Sequence, residues 1–222
     1  MGHQRLEKWT SWISGRIKDE VITMHMHWET WSHVQKMLAA NPALPNSYWW
    51  AFMSDTYGIT QAVAVRRQLD THRDVASLGK LVSEIAEEPE IVTRSFWLRL
   101  RDTDHPIDVQ LADESWRHTF GGEVRDHLDP AIPKADLDAA RRASEGVRKY
   151  VDQHLAHSDR QAVPAPVPSV PELHYAIDVI GHLFKKYATL LTASDWITLV
   201  PIVQYDWMAL FREPWMPEGW SG

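Results

Sequence analysis

The sequence predicts an all-α protein, a helical bundle of about five to seven helices that include long antiparallel ones. Apolar residues recur at steps of three and four along most of the chain, which is typical of amphipathic helices. No two runs of alternating apolar residues are joined by a hairpin turn, so nothing indicates strands. Hydrophobic residues make up 44% of the 222 residues and charged residues 24%, a globular mixture. We expect one domain over residues 1–222.

The first predicted helix covers residues 5–40, which contain no proline. Its apolar positions trace a single face: Trp9, Ile13, Ile17, Val21, Met24, Trp28, Trp31, Val34 and Leu38. Pro42 and Pro45 end this helix, because proline lacks the amide donor and restricts the residue before it. A second helix is predicted over residues 48–70, and Gly58 weakens its middle.

The middle of the chain predicts shorter helices. One covers residues 77–87 and ends before Pro89. Two more are expected, one around 96–100 and one over 108–119, with a loop around Pro106 between them.

The last third of the chain contains strong helical patterns. A long helix is predicted over 134–157, with the apolar residues Leu137, Ala140, Val147, Val151 and Leu155 on its inner face. Another is predicted over 171–191, where Ser169 and Glu172 have the spacing of a capping box at the N-terminus.

Proline punctuates the rest of this region. The connector 161–171 contains four prolines and should be extended. Residues 196–211 favour one more helix, interrupted near Pro201. A tail rich in tryptophan and proline covers 212–222.

Composition excludes several classes of protein. The chain has no cysteine, so disulfides and cysteine-based zinc sites are absent. The N-terminus has no signal-peptide core, and no apolar run approaches the roughly 18 residues of a membrane helix. The net charge of −7 argues against broad nucleic-acid binding, although a local basic patch remains compatible with it. We expect a cytoplasmic protein that does not interact with membranes.

Titratable residues are concentrated at the end of the helix predicted over 134–157. Arg148 and His154 are six residues apart, which on an ideal helix separates them by about 9 Å along the axis and roughly 120° around it. His154 and His157 share a face. Arginine binds phosphate in a bidentate manner and histidine transfers protons near neutral pH, so this combination favours metal-free cleavage of a phosphodiester.

This region resembles the HEPN superfamily, in particular its branch linked to bacterial abortive infection. The similarity is best over residues 147–187, where Ala156-His157-Ser158-Asp159 precedes a linker and the helix text Glu-Leu-His-Tyr-Ala-Ile-Asp-Val-Ile. Val65–Asp70 and Ser77–Leu81 are also similar to two earlier helices of that branch. An arginine followed by four to six residues and a histidine is the motif of this superfamily.

The resemblance implies a metal-independent endoribonuclease of the toxin or phage-defence type, which needs no cofactor. Arg148 would bind the scissile phosphate and His154 would be the general acid and base, assisted or replaced by His157. The supporting residues would be Asp159, which would orient a histidine, and Asp152 and Tyr150, which would line the cleft. The implied partners are RNA, a second copy of the chain in a homodimer, and an antitoxin or regulatory protein.

One departure from the family pattern keeps a second interpretation open. The histidine of the Ala-His turn is His157, and the arginine expected six residues earlier is replaced by Val151. Either the motif has shifted to Arg148 and His154, or the chain is a catalytically silent module that binds a protein or a nucleotide. In that case Arg148 and His154 are solvated surface residues and His157 caps the helix.

A metal site is the third hypothesis. His174, Asp178 and His182 follow one another at steps of four and lie on one stripe of the helix predicted over 171–191. Imidazole and carboxylate groups together suit Zn²⁺, Fe or Ni²⁺. The stripe borders the polar face, where charged side chains are usually only solvated.

Overall fold

The computed structural model describes residues 2–43, 47–101, 105–121, 126–156 and 166–212. In these ranges the prediction of an all-α fold is confirmed, since the only β contact is an isolated bridge between Thr93 and His127. The described part of the chain contains nine α-helices: α1 Gly2–Trp12, α2 Lys18–Ala40, α3 Tyr48–Gln68, α4 Leu78–Glu87, α5 Arg94–Leu100, α6 Pro106–Trp116, α7 Ala131–Ala143, α8 Glu145–Tyr150 and α9 Val170–Thr192. Every helix in these ranges is too short or too polar to cross a lipid bilayer.

The predicted count of five to seven helices is too low because two predicted helices are broken. The helix expected over 5–40 is divided into α1 and α2 by a π-helical turn, Ile13–Ile17. Gly15 lies in this turn with φ −110° and ψ −111°, outside the helical region of backbone conformation. Periodicity does not reveal such a break, because Ile13 and Ile17 stay on the buried face on both sides of it.

The second broken helix is the one predicted over 134–157. It consists of α7, α8 and a π-helical segment, Val151–Ala156. The break between α7 and α8 lies at Ser144, which is buried and whose hydroxyl donates to the carbonyl of Ala140 at 2.8 Å. Such back-bonding by serine bends helices, which explains why a continuous apolar pattern does not produce a continuous helix.

The remaining elements follow the predictions with two exceptions, of which the first is that Pro106, expected in a loop, begins α6. Ser47 caps α3, and Ser169 with Glu172 forms the predicted capping box at the start of α9. The prediction of a helix over 196–211 is wrong, because the only helical segment in this stretch is the 3₁₀ turn Trp207–Arg212. The connector residues 161–165 and the tail beyond Arg212 lie outside the described residues.

Helix α9 is the centre of the bundle. It packs against α1 to α5, α7 and α8. Its buried residues occupy about half of its circumference: Leu173, Ala176, Ile177, Ile180, Gly181, Leu183, Phe184, Tyr187, Ala188, Leu190 and Leu191. The expected antiparallel packing holds for α2 against α3 and for α2 against α9, so α3 and α9 run in the same direction. Together these contacts hold the C-terminal end of α3 beside the segment that follows α8.

A buried carboxylate fastens the first helix to the fourth. Glu84 on α4 is 6% exposed and accepts hydrogen bonds from Trp9 Nε1 at 2.8 Å and from Lys8 Nζ at 2.9 Å. Burial acts to raise the pKa of Glu84, but the bonds from Trp9 and Lys8 outweigh it and hold the pKa below its ordinary value. The charged form of Glu84 is therefore part of the folded structure.

Candidate functional site

The residues of the predicted motif lie on α8 and on the π-helical segment that follows it. Arg148 is a half-buried residue of α8, and His154 is exposed in Val151–Ala156. Tyr150 and Asp152 are both half-buried. The other two predicted residues, His157 and Asp159, lie outside the described residues.

Val151 occupies the position where the family resemblance calls for an arginine. Its side chain belongs to the hydrophobic core and is 4% exposed. A guanidinium at this position would be removed from water without a partner, which is strongly unfavourable. This fold is therefore incompatible with an arginine at position 151 that would pair with His157.

Arg148 lies in an open cleft of about 330 Å³ on the surface of α7 and α8. The lining residues are Arg141, Arg142, Glu145, Arg148, Lys149 and Asp152. Within the described ranges, the guanidinium of Arg148 forms no hydrogen bond and no ion pair closer than 4 Å. An unpaired arginine in a cleft rich in cations is suited to receive an anionic group.

An ion pair with α3 holds Asp152 in place. Arg66 Nε donates to Asp152 Oδ1 at 3.2 Å, and Arg66 Nη1 donates to Asp70 Oδ2 at 2.6 Å. The hydrogen bond from Arg66 to Asp152 is the largest of the effects that raise the pKa of Arg66. The sequence does not single out Arg66, because a contact over 86 residues leaves no local pattern.

His154 lies against Tyr150 and not in the Arg148 cleft. The two rings are 5.2 Å apart between centroids and tilted by 41°. On a helix, residues four apart share a stripe, so Tyr150 and His154 lie on one stripe while Arg148 and Asp152 lie on another. An ideal α-helix separates Arg148 and His154 by about 120°, and His154 is not among the residues that line the Arg148 cleft. Arg148 and His154 of one chain therefore face different directions.

Glu145 forms an ion pair with one of the cations of the cleft. It pairs with Lys149, with Nζ and Oε1 at 2.6 Å, and both side chains are 61% exposed. The hydrogen bond from Lys149 lowers the pKa of Glu145, so this carboxylate is ionised at neutral pH. Ion pairs with this exposure contribute little stability and exchange partners readily.

The structure does not bring the three candidate metal ligands together. His174 Nε2 lies 2.6 Å from the hydroxyl of Tyr57, and its ring is stacked on Trp28 with centroids 4.8 Å apart. Burial lowers the pKa of His174, which keeps its ring neutral. Asp178 and His182 form a separate exposed pair at 3.3 Å. In the described part of the chain no group of three histidines or carboxylates is arranged to hold a metal.

Comparison with known families gives a match that covers nearly the whole bundle. The family model described as AbiU2, a HEPN-type domain linked to abortive infection, matches residues 6–210. No curated protein and no solved structure matches the chain significantly. The matched range includes every α-helix except the first residues of α1, and it includes Arg148, His154 and Arg66.

Proposed function

Because the chain belongs to the AbiU2 family of HEPN domains, which is linked to abortive infection, we propose that it is a metal-independent endoribonuclease of the toxin or phage-defence type. The observation that supports the proposal most directly is the unpaired guanidinium of Arg148 in a cleft lined by three further cations. In this mechanism Arg148 binds the scissile phosphate and neutralises the charge that develops on its oxygens.

The histidines supply the proton transfers of the proposed reaction. A neutral imidazole accepts the proton of the 2′-hydroxyl, whose oxygen then attacks the adjacent phosphorus. The bond from phosphorus to the 5′-oxygen breaks, and an imidazolium returns a proton to that leaving oxygen. The products are a 2′,3′-cyclic phosphate and a free 5′-hydroxyl. His154 is the proposed acid and base, and His157 assists or replaces it.

The supporting residues have separate tasks in this scheme. Asp152 is held by Arg66 and shapes the cleft beside Arg148. Tyr150 restrains the ring of His154 through their contact at 5.2 Å. Asp159 accepts the second ring proton of a histidine and so selects its tautomer. The chemistry requires no metal and no cofactor.

A second copy of the chain completes the proposed site. His154 does not line the cleft that contains Arg148, so a single chain does not direct both at one phosphate. An isologous dimer would bring the His154 stripe of one protomer to the Arg148 cleft of its partner. We further propose that an antitoxin or regulatory protein restrains the enzyme in the cytoplasm, where its RNA substrate is found.

A specific observation favours a second candidate function. The position of the family arginine is filled by the buried Val151, and the chain carries a net charge of −7. These features suit a silent HEPN-like module that binds a protein or a nucleotide without cleaving RNA.

Cleavage of mixed cellular RNA in excess chelator distinguishes the two functions. The purified full chain is compared with Arg148→Ala and His154→Ala, and Lys36→Ala is the matched control because Lys36 is exposed near the far end of α2. The nuclease proposal expects cleavage by the unchanged chain and the control, and at least a hundredfold loss in both site variants. Cleavage that survives both substitutions would overturn the residue assignment. An inactive unchanged chain would favour the binding module.

A further inference from the structure

We infer that the cleft beside Arg148 extends into a phosphate-binding subsite, formed by Arg141, Arg142 and Lys149, that takes the RNA backbone away from the scissile bond. The inference rests on the proposed function for the identity of the ligand, and on the geometry of α7 and α8 for its position. Its consequence is that the protein acts on strands and discriminates against short fragments.

The spacing of the lining residues forms a continuous stripe. Residues 141, 145, 148 and 152 follow one another at steps of three and four, and the steps from 142 to 145 and 149 are the same. Seven residues of helix rise by about 10 Å, so the cations at the two ends of the stripe reach beyond a single phosphate group. Ser144 N donates to the carbonyl of Ala140 at 3.2 Å and Arg148 N donates to the carbonyl of Ser144 at 2.9 Å, so Ser144 is hydrogen-bonded to both α7 and α8 at the break.

The cations of the stripe are available to a ligand. In the part of the chain that the structure describes, Arg142 is exposed and has no hydrogen-bonded or ionic partner for its guanidinium. Arg141 has only a distant contact with Asp138 at 3.9 Å. Lys149 is engaged by Glu145, but both are mostly exposed and their pairing costs little to open.

The charge of the cleft contrasts with that of the chain. Four cations face two carboxylates in the lining, and one of those carboxylates, Asp152, is already engaged by Arg66. A protein with a net charge of −7 therefore presents a positive surface next to Arg148. Arginines arranged along a stripe match successive phosphates of a nucleic-acid strand, with which each forms bidentate hydrogen bonds.

Glu145 sets the strength of this subsite. Its carboxylate lies among the cations and repels phosphate while it holds Lys149. Glu145→Gln would remove the repulsion and release Lys149, so we expect it to increase affinity for a strand.

Binding measured apart from cleavage tests the inference. The probe is a fluorescent single-stranded DNA of about ten nucleotides, which has no 2′-hydroxyl and is not cleaved, titrated by anisotropy against the full chain at several salt concentrations. We expect the double change Arg141→Gln and Arg142→Gln to weaken binding about tenfold at low salt. It should also reduce the slope of log affinity against log salt by about 1.4, at roughly 0.7 for each lost phosphate contact.

The control measurements separate the subsite from a general charge effect. Lys36→Gln removes one charge outside the cleft and should leave binding within twofold of the unchanged chain. Glu145→Gln should strengthen binding about threefold. A dinucleotide with one phosphate should bind the double variant and the unchanged chain within twofold of each other, because it does not reach the subsite.

Each remaining outcome has a definite meaning. If the double variant binds the strand as the unchanged chain does, while Arg148→Ala weakens binding, the subsite is wrong and the proposed function is untouched. If the unchanged chain does not bind the strand but binds a peptide rich in Asp and Glu through Arg142, the cleft is a protein-binding site and the inference fails. If strand binding depends on Arg141 and Arg142 but no RNA is cleaved, the subsite stands and the nuclease proposal fails.

Discussion

Arg66 and Asp152, which are 86 residues apart in sequence, join α3 to the segment Val151–Ala156 through a hydrogen bond of 3.2 Å from Nε to Oδ1. Asp152 belongs to the π-helical segment that carries His154, so this bond connects the candidate catalytic histidine to α3. The same guanidinium is held by Asp70 at the end of α3. The position of the segment after α8 is thus set by a residue outside the arginine–histidine motif.

Arg66→Gln should lower RNA cleavage about tenfold without unfolding the protein. Both side chains of the pair are at least 40% exposed, so the stability lost should be below about 1 kcal/mol. Activity is expected to suffer more, because a small displacement of a catalytic group costs more than the contact itself. Cleavage assays beside urea denaturation measure the two effects.

Arg67 provides the matched control for this change. It is the adjacent arginine on α3, and it pairs with Glu20 on α2 instead of Asp152. Arg67→Gln should leave cleavage within twofold of the unchanged chain. Equal losses from both substitutions would contradict a specific role for Arg66.

Val151→Arg should unfold the protein and not restore a family motif. Val151 is 4% exposed and packs in the core, so the introduced guanidinium would be buried without a partner. An uncompensated buried charge costs about 3–5 kcal/mol, a large part of the stability of a domain of this size. Urea denaturation followed by circular dichroism measures the loss.

Val151→Ile is the control, because it keeps the site apolar and should cost less than about 1.5 kcal/mol. A stable Val151→Arg variant with higher nuclease activity would show that the segment turns to expose residue 151. It would also return the motif to the register in which His157 pairs with residue 151.

The sequence predicts much of the fold because the main helices carry strong periodic patterns and explicit caps. The capping box at Ser169 and Glu172 and the positions of α3 and α9 follow from local rules. The breaks at Gly15 and Ser144 do not, because each depends on backbone geometry that leaves the apolar pattern intact. Contacts between residues far apart in the sequence, such as the one from Arg66 to Asp152, are not predicted by local patterns either.

The sequence predicts which residues belong to the candidate site, but not how their side chains are arranged. Arg148 and His154 are recognised by spacing alone, and an ideal helix separates them by about 120°. Their actual neighbours, Asp152 for Arg148 and Tyr150 for His154, show that they lie on two different stripes. The flanking cations Arg141 and Arg142 complete the cleft, and no sequence motif predicts it. The alignment of α7 and α8 depends on the break at Ser144.

Glu84→Gln should destabilise the protein by about 1–3 kcal/mol at pH 7, because it removes the charge that Trp9 and Lys8 satisfy. The pKa of Glu84 is lowered in the folded state, so the unfolded state binds its proton more readily. The stabilisation is present above the ordinary pKa of a glutamate and is lost as the pH falls through the lower folded value.

Denaturation midpoints at pH 7 and pH 3.5 measure this dependence. The unchanged chain should lose more stability over that interval than Glu84→Gln does, and the two should approach each other in acid. Glu114→Gln is the control, because Glu114 is exposed on α6. A constant difference between the unchanged chain and Glu84→Gln at all pH values would contradict a role for the charged carboxylate.

His25 should make the fold sensitive to mild acid. Burial against α9 lowers the pKa of His25 on α2 to about 4, with Lys185 and His182 acting in the same direction and Asp178 and the backbone of Ile177 opposing it. Its Nε2 is buried and has no hydrogen-bond partner in the described residues, and it lies 2.4 Å from where a Cβ at Gly181 would be. Protonation would place a charge in this largely buried position, so the folded state resists it.

The sign of this effect follows from the lowered pKa. The unfolded state takes up the proton near the ordinary pKa of about 6.5, so the stability due to neutral His25 is complete above that pH and declines towards pH 4. A shift of this size corresponds to at most about 3.4 kcal/mol, and we expect about 1–2 kcal/mol because part of the ring still meets solvent. Urea denaturation at pH 7 and pH 4.5 should show a smaller acid loss for His25→Gln than for the unchanged chain. His3→Gln is the control because His3 is 86% exposed on α1, and an equal acid loss in all three proteins would remove His25 as the cause.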